Sequence, residues 1–386
     1  MKPATDLIHR AEGVNDDAAP LTTPIYETTT FVFETAEEVR LYNEGRSPKF
    51  LYSRYANPTV LAVEQKIAAL EGAETALLLS SGQAATTTAL LGLLGSNDEI
   101  VCSSAIYGGT LHLISDMFPK FGIRARFVSV DELRQPERVL SPTTKVLWFE
   151  SPINPTLRCV DIATVAQACR AAGTISVIDN TFASPVNQQP VALGVDMVMH
   201  SATKYLNGHS DVTAGALAGP ARLIEPILKA RKMLGTVLDP SAAYALGRGL
   251  KTLAVRVERQ NASAWAVARW LSRDPRVRAV YYPGLESHPD HDIARRQMRG
   301  FGGMVCVDLG GGYDRAARFF DRLQIFRRAA SLGGVESLCS LPVLTSQWGH
   351  SEDELARAGV TQSMARLSIG LEDPEDLTAD LDQALG

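Results

Sequence analysis

Residues 175–204 read ISVIDNTFASPVNQQPVALGVDMVMHSATK. Two short, mainly apolar runs lie inside this stretch, Ile175–Ile178 and Met197–Met199, and each stops at a polar cluster. The first runs into Asp179-Asn180-Thr181, the second into His200-Ser201-Ala202-Thr203-Lys204. Runs of this length without regular polar alternation fit strands buried on both faces, as in parallel sheets covered by helices. Open α/β sheets bind their ligands just beyond the carboxyl ends of such strands. An acid and a lysine that each follow an apolar run thus indicate both the fold class and the place to look for chemistry.

The same grammar extends outward. Ala76–Leu79, Ile100–Ser103, Arg126–Val130 and Val146–Phe149 are further short apolar runs, separated by helical stretches such as Gln83–Leu94 and Ile162–Ala172. Strand and helix in alternation predict an α/β fold with a mostly parallel central sheet. Asn57-Pro58 is a helix start, Val60, Val63, Ile67 and Leu70 give its apolar stripe, and Gly72 its stop. After about residue 255 the pattern changes. Val277–Tyr282, Met304–Leu309 and Ala365–Leu371 read as strands with one solvated face. A helix at Tyr313–Leu323 and a last one after Asp373-Pro374 complete a smaller C-terminal α+β domain. The stretch LTTPIYETTTF has no sustained helical period, and GRSPKFLYSRYANPT is rich in turn formers, so an extended N-terminal arm that wraps a neighbour is expected. The expected division is an arm over 1–56, an α/β domain over 57–255 and the α+β domain over 256–386.

Composition narrows the function. A chain of 386 residues is too long for one ordinary core. Its formal net charge of -5 lacks the basic excess of a nucleic-acid binder. No stretch approaches the ~20 apolar residues of a membrane helix, and MKPATDLIHRAEG has no apolar signal core. Cys102, Cys159, Cys169, Cys306 and Cys339 are scattered without a CxxC pair, which fits reduced thiols and not a disulfide frame or zinc site. A cytoplasmic protein with no metal, nucleic-acid or membrane partner is expected.

The residues after each apolar run carry the chemistry. Ser80-Ser81-Gly82-Gln83 follows the first run and opens a helix, whose free N–H groups and positive end suit a phosphate. Gly82 permits close backbone approach. There is no GxGxxG after the first strand and no GxxxxGK[ST], which counts against a nicotinamide or nucleoside-triphosphate enzyme. Asp179, closing an apolar strand, needs a partner. A helix cap or buried ion pair would satisfy it, and so would a pyridinium nitrogen. Lys204 alone would read as a surface charge. Beside the acid and the phosphate turn, it completes the minimum set for pyridoxal phosphate: a lysine for the Schiff base, an acid for the ring nitrogen and a nest for the phosphate.

The segments PLTTPIYETTTF, YSRYANPT, SSGQAA, YGGT, ESPINP, DNT, HSATKYLNGHSD, SLGGVESL and RLSIGLED occur in this order from Pro20 to the C-terminus. Together they resemble the Cys/Met-metabolism family of pyridoxal-phosphate enzymes, which includes cystathionine γ-synthase and γ-lyase, methionine γ-lyase and the homoserine-ester sulfhydrylases. The resemblance implies fold type I and a homotetramer assembled as a dimer of active dimers. It also implies roles: Lys204 carries the cofactor and shuttles the α-proton, Asp179 pairs with the pyridine nitrogen, and Tyr107 stacks on the ring and protonates the leaving group. Ser81, Gly82, Gln83, Ser201 and Thr203 hold the phosphate, with Tyr52 and Arg54 reaching it from the neighbouring subunit. Asn154, Ser331 and Arg366 orient the substrate carboxylate and the ring oxygen. The implied reaction is γ-elimination or γ-replacement on a sulfur-containing or γ-substituted amino acid, of the cystathionine γ-lyase/γ-synthase type. Alternatives are an O-acylhomoserine sulfhydrylase, a methionine γ-lyase and, more remotely, a non-catalytic relative that binds the cofactor.

Arg366 also stands on the pattern itself. It alternates with Leu367, Ile369 and Leu371, which puts it on the polar face of a strand, where a guanidinium fork suits a carboxylate. Glu150, His200 and His209 read as structural, and Trp348 and His350 have no role. Three positions bear on the substrate. Gly109 stands where methionine γ-lyases place a cysteine, and Arg231-Lys232 where they place an acid. Ala330 stands where the cystathionine enzymes place a glutamate.

Overall fold

The structure is a computed structural model that describes residues 3–12 and 19–386. Its centre is a seven-stranded sheet of β1 (Thr75–Leu79), β2 (Glu99–Ser103), β3 (Arg124–Val128), β4 (Thr144–Glu150), β5 (Ile175–Asp179), β6 (Met197–His200) and β7 (Gly215–Gly219), in spatial order β1-β7-β6-β5-β4-β2-β3. Neighbours from β6 to β3 pair parallel, whereas β7 pairs antiparallel with both β1 and β6. Six strands therefore point one way, and their carboxyl ends share one edge. The expected mostly parallel sheet is present, with β7 as its reversed member. The strand expected at Arg126–Val130 begins two residues earlier and ends at Val128, because its parallel register with β2 runs from Glu99↔Arg124 to Ser103↔Val128.

Both faces of this sheet are covered. Leu77, Leu79, Cys102, Trp148, Val177 and Met197 pack under helices Gly82–Leu93 and Ala221–Leu234. Val101, Leu147, Phe149, Ile178 and Val198 pack against helix Ile162–Ala172 on the other side. Helix Pro58–Glu71 starts as its sequence dictates. The Asn57 side chain accepts from the Thr59 N–H at 2.9 Å, and Gly72 closes the helix at φ 67. The arm over 1–56, expected to be extended, includes short helices at Pro3–His9 and Ala36–Asn43.

A second sheet contains β8 (Ala279–Tyr281), β9 (Met304–Asp308), β10 (Arg327–Arg328), β11 (Leu338–Ser340) and β12 (Met364–Ser368), in order β10-β11-β12-β9-β8. The expectation of one solvated face fails here: every residue of β9 and β12 is buried. Val305, Val307, Ala365 and Leu367 face helices Leu253–Leu271, Gly312–Arg322 and Pro374–Leu385. On the other face, Cys306 and Met364 meet Leu355 of helix Glu352–Arg357, and Met304 joins the core that holds Tyr205 and Leu206. Alternation thus separated two buried faces. β12 is also shorter than expected, since the Ile369 N–H donates to Gly303 and the Leu371 N–H to Val335 outside the ladder.

Candidate active site

The carboxyl edge of the first sheet and the Met364–Arg366–Ser368 side of the second enclose one cavity of about 580 Å³. Ser81, Gly82, Gln83, Tyr107, Asn154, Asp179, Ser201, Thr203, Lys204, Ser331 and Arg366 all line it. Tyr52 and Arg54 are not among its lining residues. Arg54 instead donates to the Lys232 carbonyl at 2.5 Å and lies over the rings of Tyr52 and Tyr55.

The phosphate-type end is built by β1 and the helix after it. The Ser81 hydroxyl caps that helix by accepting from the Ala84 N–H at 3.0 Å. A Cβ on Gly82 would stand 2.9 Å from Ser201 Cβ and 3.1 Å from its Cα, so only glycine permits this approach. Thr203 is fixed by the Ala214 N–H, which donates to its hydroxyl at 3.0 Å.

Asp179 ends β5, nearly buried. One of its oxygens accepts from the Thr181 N–H at 3.0 Å and from the Thr181 hydroxyl at 2.5 Å. Burial pushes its carboxyl up, and those hydrogen bonds pull it back. Thr181 carried no role in the sequence reading, although a hydroxyl two residues after a strand-end acid is a signal for such a local bond. Glu150 ends β4 directly opposite Asp179 in the ladder. Burial and the charge of Asp179 hold its carboxyl well above the usual range.

Lys204 Nζ donates to the Ser331 hydroxyl at 2.8 Å. Burial, and then the nearby Arg366, hold the ammonium below its usual range, which favours the neutral amine needed for a Schiff base. Ser331 has φ 106, a conformation costly for a non-glycine residue and of the kind found at functional sites. Arg366 is buried, donates to Asn154 Oδ1 at 2.9 Å and to the Ser331 carbonyl at 3.0 Å, and leaves Nε without a partner. Among the described residues no carboxylate pairs with it.

The other positions fall outside this cluster in part. Ala330, Thr345 and Ser346 line the cavity, whereas Trp348 and His350 do not. Arg231 is buried in an ion pair with Glu64 at 2.6 Å and is not among the cavity's lining residues. His200 is the last residue of β6 and pairs with buried Glu71 at 2.5 Å. Among the described residues no helix is long and apolar enough to cross a membrane, and no group of three His, Cys, Asp or Glu is placed to hold a metal.

Lysine, buried acid, helix N-terminus and hydroxyls around one cavity fit pyridoxal phosphate, and the buried Arg366, its Nε unpartnered, lines the same cavity. The comparisons agree on that cofactor. Over residues 4–386 the chain matches, and belongs to, the family described as Cys/Met metabolism PLP-dependent enzyme. It is 44% identical over 383 residues to cystathionine gamma-synthase 1, chloroplastic, of Nicotiana tabacum, covering 98% of this chain and 71% of that one. It is 42% identical over 384 residues to L-methionine gamma-lyase of Pseudomonas putida, covering 99% and 96%. The crystal structure of metB from Corynebacterium glutamicum superposes with a TM-score of 0.93 at 38% identity, covering 100% of this chain and 98% of that one. The protein is a pyridoxal-phosphate enzyme of fold type I, in the γ-elimination and γ-replacement chemistry of cysteine and methionine metabolism.

Proposed function

We propose that the protein eliminates or replaces the γ-substituent of an amino acid, in the manner of a cystathionine γ-lyase or γ-synthase, with preference for substituents that carry no distal positive charge. One observation carries the substrate side. Arg366 is a buried guanidinium without a carboxylate partner, held by Asn154 and the Ser331 carbonyl in the same cavity as Lys204. A buried cation without a counter-charge is costly, and the α-carboxylate of an amino acid supplies one. Pyridoxal phosphate, when bound, supplies the electron sink for charge that develops at the substrate carbon. Lys204 Nζ moves the α-proton, its basicity adjusted by burial and by Arg366. Asp179 would hold the pyridine nitrogen, and Tyr107 would lie against the ring and protonate the departing group. Ser81, Gly82, Gln83, Ser201 and Thr203 hold the phosphate.

The arm over 1–56, the α/β domain over 57–255 and the C-terminal domain over 256–386 then divide the work. Among the described residues, Lys204 and Arg366 are the only cations that line the cavity, one assigned to the Schiff base and the other to the substrate carboxylate. This supports Tyr52 and Arg54 serving the neighbouring subunit's phosphate, in a cytoplasmic homotetramer built as a dimer of active dimers. Leu21, Val32, Met233 and Val255, each more than 60% exposed, offer apolar surface for that assembly. Mixing Lys204→Ala and Arg54→Ala proteins should restore part of the activity through hybrid dimers. No recovery after confirmed subunit exchange would count against a shared site.

Ala330 supports the substrate preference, because it lines the cavity with a methyl group and brings no charge to a distal ammonium. The test is a product screen with cystathionine, homocysteine, methionine and O-acylhomoserines, with and without a thiol. Faster turnover of homocysteine or an acylhomoserine than of cystathionine is expected. A strong preference for cystathionine would overturn the reading of Ala330, and turnover only with a thiol present would make the protein a sulfhydrylase.

A further inference from the structure

The sheet edge carries a second buried carboxylate that the reaction leaves without a task. Glu150 is 4% exposed, lines the cavity and faces Asp179 across the β4–β5 ladder. Among the described residues its side chain makes one hydrogen bond, to neither Asp179 nor a cation. Glu150 Oε1 accepts from the backbone N–H of Tyr107, at 2.5 Å. Tyr107 begins the short Gly108–His112 helix and is 54% exposed, so its ring has little packing to fix it. The loop is also tied nearby where Gln83 Nε2 donates to the Gly109 carbonyl at 3.0 Å. The fit there is tight: a Cβ on Gly109 would stand 2.6 Å from Tyr107 Cε1 and 2.8 Å from Gln83 Oε1.

We infer that Glu150 is a positioning residue, which sets the height of the Tyr107 ring over the cofactor by holding the Tyr107 main-chain N–H. A carboxylate is an expensive acceptor at a buried strand end, where a neutral one would serve. The charged and titratable groups around it are Asp179 on β5, Cys102 on β2 and Tyr107 itself. Burial and the neighbouring Asp179 push the Glu150 carboxyl well above its usual range, and its side chain serves as an acceptor of fixed length. The role is one of reach, and charge plays no part in it.

Reach and charge separate in two variants. Glu150→Gln keeps the length and the acceptor and removes the ionisable group. Glu150→Asp keeps the acid and shortens the arm by one methylene, out of reach of Tyr107. The inference rests on the cofactor reading above, so both are read in the holoenzyme by the visible circular dichroism of the bound cofactor as well as by turnover. Glu150→Gln should stay within threefold of the parent in kcat and keep the dichroic band. Glu150→Asp should lose tenfold or more, chiefly in kcat, with a weakened or shifted band and faster hydrogen exchange at the Tyr107 amide. Equal effects of the two, or a loss confined to Gln, overturn the inference. Should Glu150→Asp fail to fold, a loss beyond tenfold in Glu150→Gln overturns it alone. A protein without any visible band in the parent would instead sink the cofactor reading itself.

Discussion

The two ends of the cavity are built differently. The cofactor end comes from one sheet: Ser81, Glu150, Asp179 and the Ser201–Lys204 segment follow or close β1, β4, β5 and β6, all parallel and covered on both faces. Its geometry is fixed by ladder register and by a helix N-terminus, and little in it can vary without moving a strand. The substrate end is assembled from Ala330, Ser331, Thr345 and Ser346 in connecting segments, with Arg366 reaching in from the second sheet. Here the exposed Ala330 can change without moving a strand. The first end defines the chemistry and the second the amino acid, so substitutions should separate cleanly between cofactor spectrum and substrate choice.

The largest effect that tests this division is at Lys204. Lys204→Ala should remove turnover altogether while the protein still folds, and measurable turnover would break the account of the cofactor end. Next is Arg366→Ala. Removing one partner of a buried, charge-assisted contact costs about 2–5 kcal/mol, or roughly 30- to several-thousand-fold in kcat/KM. The visible cofactor spectrum should be unchanged, and a loss of bound cofactor would show that the two ends are not separable. Gly82→Ala should do the reverse. Overpacking of about 1–3 kcal/mol against Ser201 should weaken cofactor binding to the apoprotein roughly 5- to 150-fold. Substrate KM at saturating cofactor should move little. The smallest effect is expected of Ala330→Glu, which puts a counter-charge at a solvent-accessible position. Such pairs are worth at most about 1 kcal/mol, so kcat/KM for cystathionine relative to homocysteine should rise about two- to fivefold. An unchanged or falling ratio means that Ala330 does not meet the substrate.

The same contrast governs what could be read in the sequence. β1, β4, β5 and β6 were legible because parallel strands buried on both faces are apolar throughout, and their polar ends mark the ligand edge. β7, with the sequence GALAG, escaped notice because glycine and alanine give neither a β-branched run nor an alternation. Arg366 was found by alternation, yet the solvated face assumed for its strand is a second buried face, since periodicity reports sidedness and not what covers each side. The setting of Arg231 was hidden for a related reason. Its partner Glu64 lies 167 positions away, and only the fold reveals that the pair is internal. Glu150 stood in full view within ESPINP, but its contact with the Tyr107 N–H depends on a loop returning from β2, which no local pattern records.

The central claim is that the lysine closing the β6 segment carries the cofactor. It is tested most directly by reducing the purified protein with borohydride, digesting it and mapping the pyridoxyl group by mass spectrometry. The account predicts a single modified peptide with the label on Lys204, and loss of the label after Lys204→Ala. A label on another lysine, or a visible cofactor band that leaves no reduced adduct at all, would contradict it.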